Sequence, residues 1–251
     1  LLVEKMGIVF LSIAVSISIS VAKDDPHHIA SIPEASGISY CSDTKNLIVA
    51  NDEGWFYKIK QDGKVISKEY LGDYDLEGVV CEDDKYIFAI EDRGLLIVDR
   101  ETLKKKIVTI KPTYHHKKLS IFDKKSGIEG IAKIDNLYYI SKQSKRKKDS
   151  FIIVVRSDKY HTKIVDVIKH KIVDTAGLEY YNGILYMVSD KKDLLIGYDI
   201  NKREVIYRLK LERFAQEGIT FDRDGYIYIA DDKGAIYRYT IENFGINKIN
   251  K

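Results

Sequence analysis

The sequence predicts an all-β fold, a β-propeller of five four-stranded blades, and three observations carry that expectation. A glycine-led strand opening recurs five times. Asn-Gly and Asp-Gly turns separate short apolar segments. Past residue 22 no stretch keeps a helical hydrophobic period.

The repeat places a small or acidic residue before a glycine and an aliphatic residue after it. The copies are Ser36-Gly37-Ile38, Glu77-Gly78-Val79, Glu129-Gly130-Ile131, Ala176-Gly177-Leu178 and Glu217-Gly218-Ile219. Their glycines stand 41, 52, 47 and 41 residues apart, a spacing that suits propeller blades. Each copy leads into further strand-like runs. The first continues through NLIVAND, WFYKIK and VISKEYL, with an Asp62-Gly63 turn; later copies use Asn182-Gly183 and Asp224-Gly225. Such turns need positive φ, which Gly and Asn tolerate. The 18 tyrosines, against two methionines and three prolines, also favour pleated surfaces. Glycine at each strand opening is expected where innermost strands crowd around a central channel.

The fifth repeat lacks a fourth strand. Residues 28–32 precede the first repeat in the place where a fourth strand would stand, so they are expected to close the ring against Ala235–Thr240. The tail from Glu242 to Lys251 is the alternative donor. A sixth blade fits only if the long segments of the third repeat hide another unit.

Residues 1–22 differ from the rest. A single lysine, Lys5, precedes an apolar, serine-containing run from Met6 to Ala22, and the run ends on small residues. That pattern reads as a signal peptide. An uncleaved membrane anchor fits the same run, whose length is near the lower limit for a span. Both readings put a propeller domain of residues 23–251 outside the cytoplasm: at the cell membrane on its periplasmic side, in the periplasm, or secreted. Membrane association would then run through residues 1–22. With no cysteine near the end of the run, a lipoprotein is disfavoured, and Met6 offers an alternative start. Cys41 and Cys81 fall in equivalent strands of different repeats. Such strands are expected to lie too far apart for the ~6 Å Cα separation of a disulfide. Buried free thiols are therefore the expectation, although export permits a bridge. The net charge of +3, from 41 basic and 38 acidic side chains, is too even for nucleic-acid binding.

In an antiparallel meander the start of the first strand and the end of the second share one face of the disc. The first set there is Glu77, Glu129 and Glu217, with Glu34 two positions before Ser36. The second comprises the turns Asn51-Asp52, Glu91-Asp92, Ser189-Asp190 and Asp231-Asp232, while the third blade departs with Ser141-Lys142. Carboxylates converging on a narrow mouth recruit a cation or hold protons. An all-oxygen donor set favours calcium. Glu34, Glu77, Glu129, Glu217, Asp52, Asp190 and Asp231 are the candidate metal ligands, and calcium is the expected ion. A structural role, in which each glutamate staples its blade to the next, uses the same residues. Glu179 lies out of register with them.

The segments PEASGISY, IVANDEGWFYKIKQDGKVI, DLEGVV, AIEDRGLLIVD, GIEGIA, YMVSD and QEGITFDRDGYIYIADD resemble the SdiA-regulated family, over roughly residues 28–240. The resemblance implies a bacterial envelope β-propeller without established enzymatic activity, with a link to calcium in one member and an N-terminal anchor in many. Ala176, where the family would lead one to expect serine or an acid, and the lysine-rich loop of the third blade depart from it.

Several features remain. Lys142 to Lys148, KQSKRKK, reads as a solvated loop or as a contact for anionic headgroups or an acidic partner. Pro112 to Ser126, with His115 and His116, reads as a surface loop or as a flap over the mouth. His27-His28 reads as linker, and Arg93 as an ion-pair partner. No nucleophile elbow occurs and no histidine occupies a mouth position, so no catalytic residue is assigned. The expected partners are a metal ion and an unidentified small-molecule or protein ligand at the mouth. The alternative is metal-dependent hydrolysis of phosphate esters, with Arg93 and Lys142 as the flanking cations.

Overall fold

The computed structural model describes residues 20–21, 27–122, 126–157 and 162–246. Among them the architecture is five antiparallel blades of four strands. Blade one runs through Ala35–Cys41, Asn46–Asn51, Trp55–Lys60 and Val65–Tyr70. Blade two holds Leu76–Cys81, Lys85–Ile90, Gly94–Asp99 and Lys105–Thr109. Blade three holds Ile128–Ile134, Leu137–Lys142, Phe151–Ser157 and Thr162–Ile168. Blade four holds Thr175–Tyr181, Ile184–Ser189, Leu194–Asp199 and Glu204–Lys210, and Ser20–Val21 pairs in parallel with its outer strand. Blade five holds Gln216–Phe221, Tyr226–Asp231 and Ala235–Thr240.

Hydrophobicity falls from the second strand of a blade to its edge. NLIVAN and KYIFAI are buried at every position but the first, because adjacent blades cover both their faces. The outer strands VISKEY and KKIVT meet water. The core is accordingly divided among the blade interfaces. Ile48, Phe56, Leu76 and Phe88 pack between blades one and two, and Tyr186, Leu195, Ile219 and Ile229 between blades four and five.

His27–Ser31 supplies the fourth strand of blade five, pairing His28 with Tyr237 and Ser31 with Ala235. The ring is closed from the N-terminal side, as the repeat order predicts. The tail instead makes a short turn at Glu242–Phe244 that buries Phe244. The extra length before blade three is no sixth blade. It forms a small hairpin, Thr113–Tyr114 with Lys117–Lys118, turned by His115 and His116 at positive φ. The hairpin lies beside the outer strand of blade three, near Lys163 and Val165, rather than over the mouth.

All five repeat glycines open innermost strands and line the central channel. A Cβ on Gly37 would meet the carbonyl oxygen of Glu77 at 2.1 Å, and one on Gly130 the carbonyl oxygen of Ala176 at 2.1 Å. Backbone packs on backbone around the axis, which is why only glycine fits. Below the mouth, Ile38, Val79, Ile131, Leu178 and Ile219 narrow the channel to about 10 Å³, room for a single water. The mouth is a cup and not a passage.

Cys41 and Cys81 form a disulfide, with Cα atoms 5.4 Å apart. The expectation of free thiols is overturned. Equivalent positions of consecutive blades are first neighbours near the axis, as the bond from Cys81 N–H to Ser39 Oγ at 3.1 Å also shows. The segment read as signal peptide or anchor lies, apart from residues 20–21, outside the described residues. No helix among the described residues is long and apolar enough to cross a membrane.

Candidate metal centre at the channel mouth

Each inner strand enters its blade with an offset in the ladder, between Leu76 and Val79, Ile128 and Ile131, and Gln216 and Gly218, for example. An extra residue in one strand re-aims its side chain. In four of the five repeats the residue before the glycine accordingly faces the mouth: Ser36, Glu77, Glu129 and Glu217 line one cavity of about 210 Å³, and Ala176 does not. Asp52, Asp75, Glu91, Gln143 and Asp232 complete its wall. Among the described residues, seven carboxylates thus share the cup with one amide, one hydroxyl and no cationic side chain.

Carboxyl oxygens of Asp52, Asp75 and Glu77 lie within 4.8 Å of one another. Oxygens around one calcium ion, each at 2.3–2.6 Å, can be no more than about 5 Å apart, so these three fit a common ion. Glu129 is 5% exposed at the bottom of the cup, while Asp75 is exposed at the rim.

Burial and mutual repulsion hold protons on this cluster. Burial, then the Glu91 charge, pushes Glu129 up to about 8. Burial, with the charges of Asp232 and Asp75, raises Asp52 to about 7. Burial, with a hydrogen bond to Asp75, raises Glu91 to about 7. Glu77 and Glu217 lie well above the usual carboxylate range from burial and from the Glu129 charge.

Of the candidate ligands, Glu77, Glu129, Glu217 and Asp52 converge in the cup. Glu34 is exposed at the rim, at positive φ, and acts on Asp52 through its charge. Asp190 sits in a short turn, half-buried, and acts on Glu217 through its charge. Asp231 is drawn away: its Oδ1 accepts N–H bonds from Ala215 at 3.1 Å and Lys233 at 3.0 Å. Asn51 Oδ1 does the same for Glu53 and Trp55. In these two pairs the first residue pins its turn and the second, Asp52 or Asp232, faces the mouth, whereas in Glu91-Asp92 the first residue lines the cup.

In blade three the ladder pairs Ile128 with Lys142, so the mouth-facing residue is Gln143 and not Lys142. Lys142 Nζ donates to Ser126 Oγ at 2.8 Å and to the Gln143 carbonyl at 2.9 Å. Asp75, Glu91 and Asp232 were not among the candidate ligands. Asp75 had a legible signal, because it stands two residues before Glu77 as Glu34 stands two before Ser36. Stapling between blades does occur, but through other groups. Ser36 Oγ donates to the Leu76 carbonyl, and Ser141 Oγ to the Ala176 carbonyl at 2.8 Å. Glu179 lies past the aliphatic plug, where it accepts the Thr220 hydroxyl at 2.7 Å.

Two solved structures share the fold at low identity. Glutaminyl cyclase of Myxococcus xanthus is 11% identical with a TM-score of 0.63, covering 86% of this chain and 93% of its own. A luciferin-regenerating enzyme is 13% identical with a TM-score of 0.52, covering 84% of this chain and 74% of its own. At such identities the likeness concerns the fold alone. No curated protein matches the chain. The family model described as SdiA-regulated matches residues 21–240. With the glycine ring and the blades that carry it inside that span, the chain belongs to the SdiA-regulated family.

Proposed function

We propose that this protein is a binding module of the bacterial envelope that holds a calcium ion in the carboxylate cup of its propeller. The observation that carries the reading is the convergence of seven carboxylates in one cavity with no cationic side chain among the described residues that line it. Asp52, Asp75 and Glu77 would hold the ion, with Glu129, Glu91, Glu217 and Asp232 supplying further charge. The bound ion offers a hard Lewis-acidic centre to an acidic or hydroxylated ligand entering from the open side. The aliphatic plug keeps such a ligand at the surface. Two features support a location outside the cytoplasm: the signal-like residues 1–22 and the Cys41–Cys81 bridge, of a kind that persists in oxidising compartments.

Metal-assisted hydrolysis is less well supported. It requires cations facing the metal, but Arg93 is exposed and bonded to Asp92, and Lys142 points into a different cavity. Thermal unfolding tests the binding reading. Calcium at a hundredfold excess over its dissociation constant adds about 2.7 kcal/mol to the folded state. That is a rise of several degrees relative to chelator for a chain of this size. Glu77→Gln should abolish most of the rise, while Glu242→Gln in the tail should not. An unchanged melting temperature in chelator overturns the reading.

A further inference from the structure

A second cavity, of about 520 Å³, lies on the same face of the disc, at the outer rim of blade three. Its wall brings together Lys118, Lys142, Lys145, Arg146, Lys148 and Lys169. Asp149 is the one carboxylate among the described residues that line it, and its Oδ2 is ion-paired with Arg146 Nε at 2.5 Å. The floor is apolar, made by Leu119, Phe151 and Val167.

The KQSKRKK segment is folded and not merely solvated. The Ser150 hydroxyl donates to the Arg146 carbonyl at 3.0 Å, and Asp174 N–H donates to the Ser144 carbonyl at 2.9 Å. A short turn over Lys147–Asp149 completes it. Ser144 and Ser150 are buried, so the loop is anchored on both sides of its cations. The other walls come from separate elements: Lys118 from the hairpin before blade three and Lys169 from the end of its outer strand. Positive charges held together by an ordered loop repel one another unless an anion neutralises them. The volume lies in the range of small-ligand sites, and cationic walls over an apolar floor suit a charged head on an apolar body.

We propose that this cavity binds a phosphate monoester head group, with Lys145, Lys148, Lys118 and Lys169 contacting the phosphate and the floor receiving the attached carbon chain or ring. The site stands apart from the carboxylate cup, although the consecutive residues Lys142 and Gln143 line one cavity each. Lysine serves as a point charge for phosphate, and a dianion engages several at once. A soluble phosphate ester and a phosphate-bearing lipid present the same group.

Calorimetry with inorganic phosphate, together with co-sedimentation on phosphatidylcholine vesicles with and without phosphatidic acid, tests the site. Wild-type protein should bind phosphate, and Lys145→Gln with Lys148→Gln should weaken it by about tenfold or more. Lys118→Gln with Lys169→Gln, on the opposite wall, should do the same. Both variants should keep the parent's melting temperature and its response to calcium, which separates this test from that of the cup. Retention on phosphatidic acid vesicles that inorganic phosphate competes away identifies the lipid as source; phosphate binding without retention identifies a soluble ester. Binding of neither probe, or equal binding by parent and both variants, overturns the proposal.

Discussion

The two faces of the disc treat carboxylates in opposite ways. At the mouth, burial and neighbouring acids outweigh the Ser36 hydroxyl beside Asp52, and Glu129 and Asp52 are pushed up to about 8 and about 7. On the far face burial also pushes Glu82 up, but hydrogen bonds from Tyr138 and Lys133 outweigh it and hold it below the usual range. Lys133 approaches Glu82 at 3.0 Å and Lys85 at 3.3 Å, while Asp43 pairs with Arg100 at 2.9 Å and Asp166 with Arg203. Several far-face acids are thus paired with cations, and the Cys41–Cys81 bridge joins two blades there; Glu179, past the plug, is the exception, raised to about 7 by burial. Among the described residues no cationic side chain lines the cup itself, although Lys233 acts on Asp232 through its charge.

The largest expected effect falls on the far face. Cys41→Ser with Cys81→Ser opens a loop of 40 residues and should cost about 4 kcal/mol on the loop-entropy account, read as a fall in denaturant midpoint. Calcium binding by the reduced or substituted protein should survive, because the cup is built by other residues. Gly130→Ala should follow, at about 3 kcal/mol, since its Cβ would collide with a neighbouring backbone. That variant should lose calcium binding too, because the glycine step sets Glu129.

The sharpest break in the comparison comes from removing one charge on each face. In chelator at pH 8, Glu82→Gln should destabilise by about 2 kcal/mol, as expected for hydrogen bonds to a charged group. Glu129→Gln should instead stabilise by about 1 kcal/mol, because it removes a repelled charge. If both substitutions destabilise alike, the two faces do not differ as described.

The comparison also predicts a pH dependence. Asp52 and Glu91 titrate at about 7 and Glu129 at about 8 in the folded chain, against about 4 when unfolded. The folded state therefore holds protons that the unfolded chain releases. Their contribution to stability is complete below about pH 4 and is lost as pH rises to about 8. In chelator the protein should melt at a higher temperature at pH 5 than at pH 8. Calcium should reduce that difference by taking the place of the protons.

Much of this was legible in the sequence. The five glycines, the hairpin turns and the closing strand follow from local chemistry repeated at a fixed interval, and repetition makes register visible. Glu77, Glu129 and Glu217 were legible for the same reason. What escaped depends on contacts between repeats or on one-residue offsets. The Cys41–Cys81 bridge joins two blades, a separation that spacing along the chain does not reveal. Asp231 and Asp232 are adjacent acids, and only turn hydrogen bonding decides that Asp231 pins the backbone while Asp232 faces the cup. In blade three the offset exchanges Lys142 for Gln143 at the mouth.

Calcium bound in the carboxylate cup, as proposed, would displace protons from it. Titration calorimetry of the full chain with calcium at pH 7, run in two buffers of different ionisation enthalpy, measures both events together. The account predicts saturable binding whose apparent heat changes with the buffer in the sense of proton release, and loss of that dependence along with most of the affinity in Glu77→Gln. Heat that is absent, or binding that is identical in the two buffers and unchanged in Glu77→Gln, would contradict it.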